Sequence, residues 1–84
     1  MRLLGRINRN HLSDVALKWI SIFENEVTQT SWRRPEDIFK MYPRMEYLQK
    51  NIYRIPILDT NLHLILKICL ANEIVVIKEV KSLN

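Results

Sequence analysis

The sequence predicts an α+β domain: a short N-terminal strand, two helices, then a three-stranded antiparallel meander with the helices on one face. Three observations predict it. Apolar residues recur at three- and four-residue steps between Leu12 and Val27, the period of a helix buried along one side. Pro35 followed by Glu36 and Asp37 has the composition of a helix start. From Ile52 onward apolar residues alternate with others, and polar turns cut the alternation into strand-length runs.

Residues 1–4 suit a first strand that Gly5 ends, before a polar break at Asn8 to Asn10. Ser13 can then accept a backbone N–H, and Asp14 favours the positive end of a helix over residues 13–28. Leu12, Ala16, Trp19 or Ile20, Phe23 and Val27 form its apolar stripe, with Glu24 and Glu26 off it. Trp19 and Phe23 fall on the stripe and are read as core. After a polar turn at residues 28–31, Pro35 opens the second helix at a position where its missing N–H costs nothing. Pro43 stops it near Met41 or Tyr42. Ile38, Phe39 and Met41 are expected to pack, with Lys40 facing away.

Residues 44–48 read either as an extended connector or as a weak strand. A turn at 49–51 leads into a strand over 52–58, with Tyr53, Ile55 and Ile57 on one face and Arg54 and Pro56 on the other. Pro56 cannot donate to a ladder, which predicts an edge strand or a bulge. After a turn at 59–61, residues 62–70 alternate. Leu62, Leu64, Leu66, Ile68 and Leu70 share one face; His63, Ile65, Lys67 and Cys69 share the other. A turn at 71–73 precedes the last strand, 74–80, which sets Val75, Ile77 and Glu79 against Ile74, Val76 and Lys78. Trp19, Ile20, Phe23 and Val27 are expected to cover the leucine-rich face, leaving His63 and Lys67 on a more polar open face.

A chain of 84 residues suits one domain, here 1–84. So small a domain is marginally stable alone, and a partner that covers apolar surface would suit it. The 48% of hydrophobic residues exceeds the 26% of charged ones, which excludes a disordered chain. Cys69 is the lone cysteine, so neither an internal disulfide nor a cysteine-based zinc site can form. It reads as a small apolar strand residue. His11 and His63 are too far apart in sequence to suggest a metal site, and a single glycine gives no phosphate-cradling loop. The expectation is therefore no metal, no small-molecule cofactor and no membrane partner. The N-terminus lacks a signal-peptide core and no segment approaches a membrane span, which points to the cytoplasm.

The net charge is +4, and the isoelectric point is about 9.5. Arg2, Arg6 and Arg9 precede any acid. A second basic stretch holds Arg33, Arg34, Lys40, Arg44, Lys50 and Arg54 against Glu36, Asp37 and Glu46. Two readings stay open: a surface for phosphate, and a solvated face that keeps a small protein soluble. His11 reads as a surface or capping residue. His63 shares a face with Lys67, and a neighbouring strand could bring Arg54 or Lys78 near. It is either a general acid or base on a cationic face or, the reading that residues alone favour, a half-exposed strand histidine without a task.

Trp32-Arg33-Arg34-Pro35-Glu36-Asp37-Ile38, then Tyr42-Pro43, then Ile52-Tyr53-Arg54-Ile55 and residues 62–80, resemble the HigB family of bacterial toxins. That family belongs to the RelE-like, ribosome-dependent mRNA endoribonucleases. The resemblance spans residues 30–80 and rests on order and spacing. Members share Trp-x-x-Pro-x-Asp-Ile, an aromatic step, a Gly-Asn turn, a Tyr-Arg-Leu strand and a final Ile-Arg-x-Val strand. Here Thr60-Asn61 replaces Gly-Asn, Leu62-His63-Leu64 replaces Tyr-Arg-Leu, and Lys78 stands for the last arginine. Lys81-Ser82-Leu83-Asn84 stands where the family continues with Thr-His-x-Glu-Tyr-Asp. The resemblance implies a RelE-like fold, cleavage of ribosome-bound mRNA, and neutralisation by a cognate antitoxin. It implies Arg54, His63, Lys67 and Lys78 as catalytic candidates, with Arg33, Arg34, Lys40 and Arg44 holding RNA backbone. Two alternatives stand beside it: a relative that binds RNA or antitoxin without turnover, and a small interaction protein with no nucleic-acid role.

Overall fold

The computed structural model describes residues 1–82; Leu83 and Asn84, the end of the tail considered above, lie outside the described residues. In chain order the elements are β1 (Arg2–Leu4), α1 (Asp14–Thr28), α2 (Pro35–Met41), β2 (Glu46–Gln49), β3 (Ile52–Pro56), β4 (Leu62–Cys69) and β5 (Ile74–Ser82). The five strands form one sheet in the order β1-β5-β4-β3-β2. The α+β class and the two helices agree with the sequence reading, whereas the strand count does not. Residues 46–49 form a strand that lengthens the meander to four strands, and β1 pairs parallel to β5, which makes the sheet mixed.

Ser13 caps α1 by accepting from the Ala16 N–H at 3.2 Å. Ala16, Ile20, Phe23 and Val27 are its buried face. Trp19 is half-buried and lies flat on Phe23, ring centres 5.3 Å apart and planes 11° apart. On α2, Pro35 holds the first position and Asp37 accepts from the N–H groups of Arg33 and Arg34 at 3.0 and 3.1 Å. Only Ile38 of this helix is fully buried, and Met41, expected to pack, is 37% exposed. Burying a side chain such as Phe23 or Ile38 is worth about 1.5–3 kcal/mol. Trp32 is also buried, its ring nearly perpendicular to that of Tyr42 with centres 6.2 Å apart.

The two backbone donors that reach Asp37 hold its carboxyl below the ordinary 3.8. A depressed carboxyl stabilises the fold above its unfolded value, and that contribution fades as pH falls through the folded value. Asp37→Asn is therefore expected to lower stability at neutral pH, with the gap to the parent closing below about pH 3.8. Melting temperatures at pH 7 and pH 3 check this; an equal gap at both would contradict it.

The helices and one sheet face share a single core, which takes in Phe23, Ile38, Tyr53, Leu64, Leu66 and Val75. The expected in–out alternation of β3 and β4 holds: Tyr53 and Ile55 face inward opposite Leu66 and Leu64. Pro56 does not mark an edge, because β3 lies between β2 and β4. Ile57 N–H donates to the Leu62 carbonyl on β4 at 2.9 Å. By alternation the nitrogen of Pro56 points toward β2, just beyond its last paired residue, Glu46, so no ladder bond is lost there.

β5 also departs from the expected phase. The register shifts between Ile65 and Leu66, so Ile65 faces Glu79 and Leu66 faces Ile77, with Lys78 the extra residue of a bulge. Past the bulge Val80 turns inward opposite Leu64, and Glu79, expected beside Val75 and Ile77, turns to the open face. The strand then runs on through Lys81 to Ser82.

Candidate nucleic-acid interface

The face of the sheet away from the helices is set row by row by the registers. One row runs Glu46, Arg54, Ile65, Glu79; the next runs Pro56, His63, Lys81. On the other side of Arg54 lies the row Ile52, Lys67, Val76, Leu4. Arg54, His63 and Lys67 thus share one surface, and Lys81 joins them directly across from His63. Same-face neighbours on adjacent strands stand about 5–8 Å apart.

Arg54 is anchored by Glu46, whose carboxylate accepts from Nη2 at 3.0 Å. The pair is partly exposed, and its effect is to orient the guanidinium over the sheet more than to stabilise the fold. His63 is 8% exposed rather than half-exposed, and Pro43, Arg44 and Met45 line the same cavity. Its Nδ1 is buried and has no hydrogen-bond partner among the described residues; the same is true of Arg54 Nε. The turn before His63 is fixed by Thr60, whose hydroxyl donates to the Ile57 carbonyl at 2.6 Å and accepts from the Leu62 N–H at 3.1 Å. His63 opens onto a shallow cavity of about 560 Å³ that Arg44, Asp59 and Thr60 also line.

The remaining candidates lie elsewhere. Lys78, at the bulge, lines a separate cavity with Arg6 and His11. Arg33 and Arg34 are exposed ahead of α2, where Arg34 makes a solvated pair with Glu36 at 3.7 Å. Lys40 is exposed on α2 itself, whose Ile38 packs into the core on the covered side of the sheet. Of the four proposed backbone contacts only Arg44 adjoins His63. Lys81 and Glu46 are not among the sequence candidates: a last strand ending at Val80 stops short of Lys81, and residues 44–48 read as either connector or weak strand, whereas β5 runs to Ser82 and β2 begins at Glu46.

Two tyrosines under the sheet are held neutral. Burial, then the hydrogen bond to Glu26 at 2.9 Å, pushes the Tyr42 hydroxyl well above its usual range. Burial, then neighbouring Tyr47, raises Tyr53. Neither lies on the open face, so they brace the scaffold. Among the described residues no group of three or more histidine, cysteine or acidic side chains could hold a metal ion. No described helix is long and apolar enough to cross a membrane.

Two helices against one face of a mixed sheet, with cations gathered on the other, fit a RelE-like toxin. The family comparison gives the narrower assignment. Residues 16–83 match the HigB toxin model, described as the RelE-like toxic component of a toxin-antitoxin system, and the chain belongs to that family. Membership implies an antitoxin partner. No match is found among curated proteins.

Proposed function

We propose that this toxin acts in the cytoplasm as an endoribonuclease that cuts mRNA on the ribosome, and that a cognate antitoxin neutralises it. One observation carries the reading: Arg54, Lys67 and Lys81 share the sheet face away from the helices with the largely buried His63, Lys81 directly across from His63 and Arg54 diagonal to both His63 and Lys67. Cleavage requires the 2′-oxygen to bond to the adjacent phosphorus while the bond from phosphorus to the 5′-oxygen breaks. A base takes the 2′-hydroxyl proton and an acid returns one to the leaving oxygen. His63 supplies the imidazole among these side chains that would carry the proton. Arg54, Lys67 and Lys81 would stabilise the negative charge that builds up on the phosphate.

A second reading, binding without turnover, draws on the same site. A catalytic imidazole is ordinarily oriented by a third group, and Nδ1 of His63 has no such partner among the described residues. Induction in a bacterial host separates the two. The enzyme reading predicts growth arrest with new 5′ ends inside translated messages by primer extension. Arg54→Ala with Lys67→Ala should relieve both, by about tenfold or more for each lost contact to the charged transition state. Ribosome association with intact messages would support the second reading instead.

A further inference from the structure

Next to the cavity beside His63 lies a second one of about 200 Å³ that Trp19, Tyr42 and Ile55 line. Pro43, Arg44, Pro56 and Leu58 border both. Across these shared residues the two adjoin as a groove with an apolar end at Trp19 and a polar end at Arg44, Asp59 and His63. We propose that this groove seats one nucleotide of a single-stranded RNA, its base in the apolar compartment and its sugar-phosphate at the polar end. The proposal rests on the RNA-cleaving reading of the toxin and assigns it a subsite.

Four observations support this occupant. The apolar walls are set in advance: Trp19 lies flat on Phe23, and the Tyr42 ring is fixed by Trp32 and by its hydroxyl bond to Glu26. A rigid aromatic wall receives a base with little ordering cost. Arg44 is exposed and makes no ion pair among the described residues; its guanidinium only reaches the Leu58 carbonyl at 3.5 Å. It is thus free for a phosphate at the junction of the two compartments. Of the acids at the polar end, Glu46 is already bound to Arg54, which leaves Asp59 to accept from a ribose hydroxyl. Finally, Leu58 is 43% exposed at a φ of 52°, a conformation that leucine rarely adopts, and it forms a wall of both compartments. The apolar end offers few groups to read a base edge, so the subsite should accept any base by stacking.

The test titrates oligouridine and oligoadenosine about ten nucleotides long into the full chain at low salt. Tryptophan emission and RNA anisotropy are both read. Trp32 is 2% exposed, so the responsive ring is Trp19. Emission should be quenched by both oligomers. Trp19→Leu should abolish the quenching and weaken binding about tenfold. Arg44→Gln should weaken it similarly and lower the salt slope by about one. Leu58→Gly relieves the positive φ, keeps the fold and should still weaken binding. Unchanged affinity in all three variants, or no binding by the parent at low salt, would overturn the subsite. So would emission that answers to an acidic leucine–glutamate peptide but not to RNA. Cleavage on ribosomes, measured on the same variants, tells failure of the subsite from failure of the enzyme reading. Cleavage that persists unchanged removes the subsite alone, while a parent without cleavage removes the reading beneath it.

Discussion

His63→Gln is expected to reduce cleavage of ribosome-bound mRNA by about 10²–10⁴-fold while leaving the fold intact. Glutamine fills much of the same space and can hydrogen-bond, but it does not titrate. The packing of a residue only 8% exposed is therefore largely kept, and the loss reports proton transfer. Primer extension gives the rate and thermal melting the stability. A variant that melts like the parent and cuts within about twofold of it would remove His63 from the chemistry.

The second large effect lies in the backbone. Gly5 has a φ of 92°, and a Cβ built there would stand 2.2 Å from the Ile77 carbonyl oxygen. The obstacle is main chain of β5, which cannot rotate away as a side-chain tip would. Gly5→Ala must therefore move the link after β1 off the sheet edge as well as accept a conformation that costs about 1–2 kcal/mol for a residue with a Cβ. A total loss of about 3 kcal/mol or more is expected, lowering the melting temperature by about 10–20 °C. Denaturant titration checks it. A midpoint unchanged from the parent would show that the β1 edge contributes little.

The helices were legible because their signals are local. Ser13, Pro35 and Pro43 mark boundaries by backbone chemistry, and the stripe from Ala16 to Val27 needs no long-range partner to be read. The alternation in residues 62–69 likewise fixed which side is covered, since leucines on one face leave little choice. What could not be read depends on pairing between distant residues. β2 is a strand because Glu46 and Tyr47 pair with Arg54 and Tyr53, and all four of its residues are exposed, so no apolar alternation announces it. The parallel partner of β1 is set by packing, not by any turn. The bulge at Lys78 lies in a run without glycine or proline, so nothing local signals the change of phase that brings Glu79 and Lys81 to the open face. The site was legible as a set of cations but not as an arrangement: Arg54, His63 and Lys67 share a surface, while Lys78 does not join them.

Purified chain, translating ribosomes and one defined message decide whether the toxin cleaves RNA. Cuts are expected inside codons only when ribosomes translate, leaving a 5′-hydroxyl on one fragment and a cyclic phosphate or its hydrolysis product on the other. A message that stays whole while the chain sediments with the ribosomes would contradict the enzyme reading.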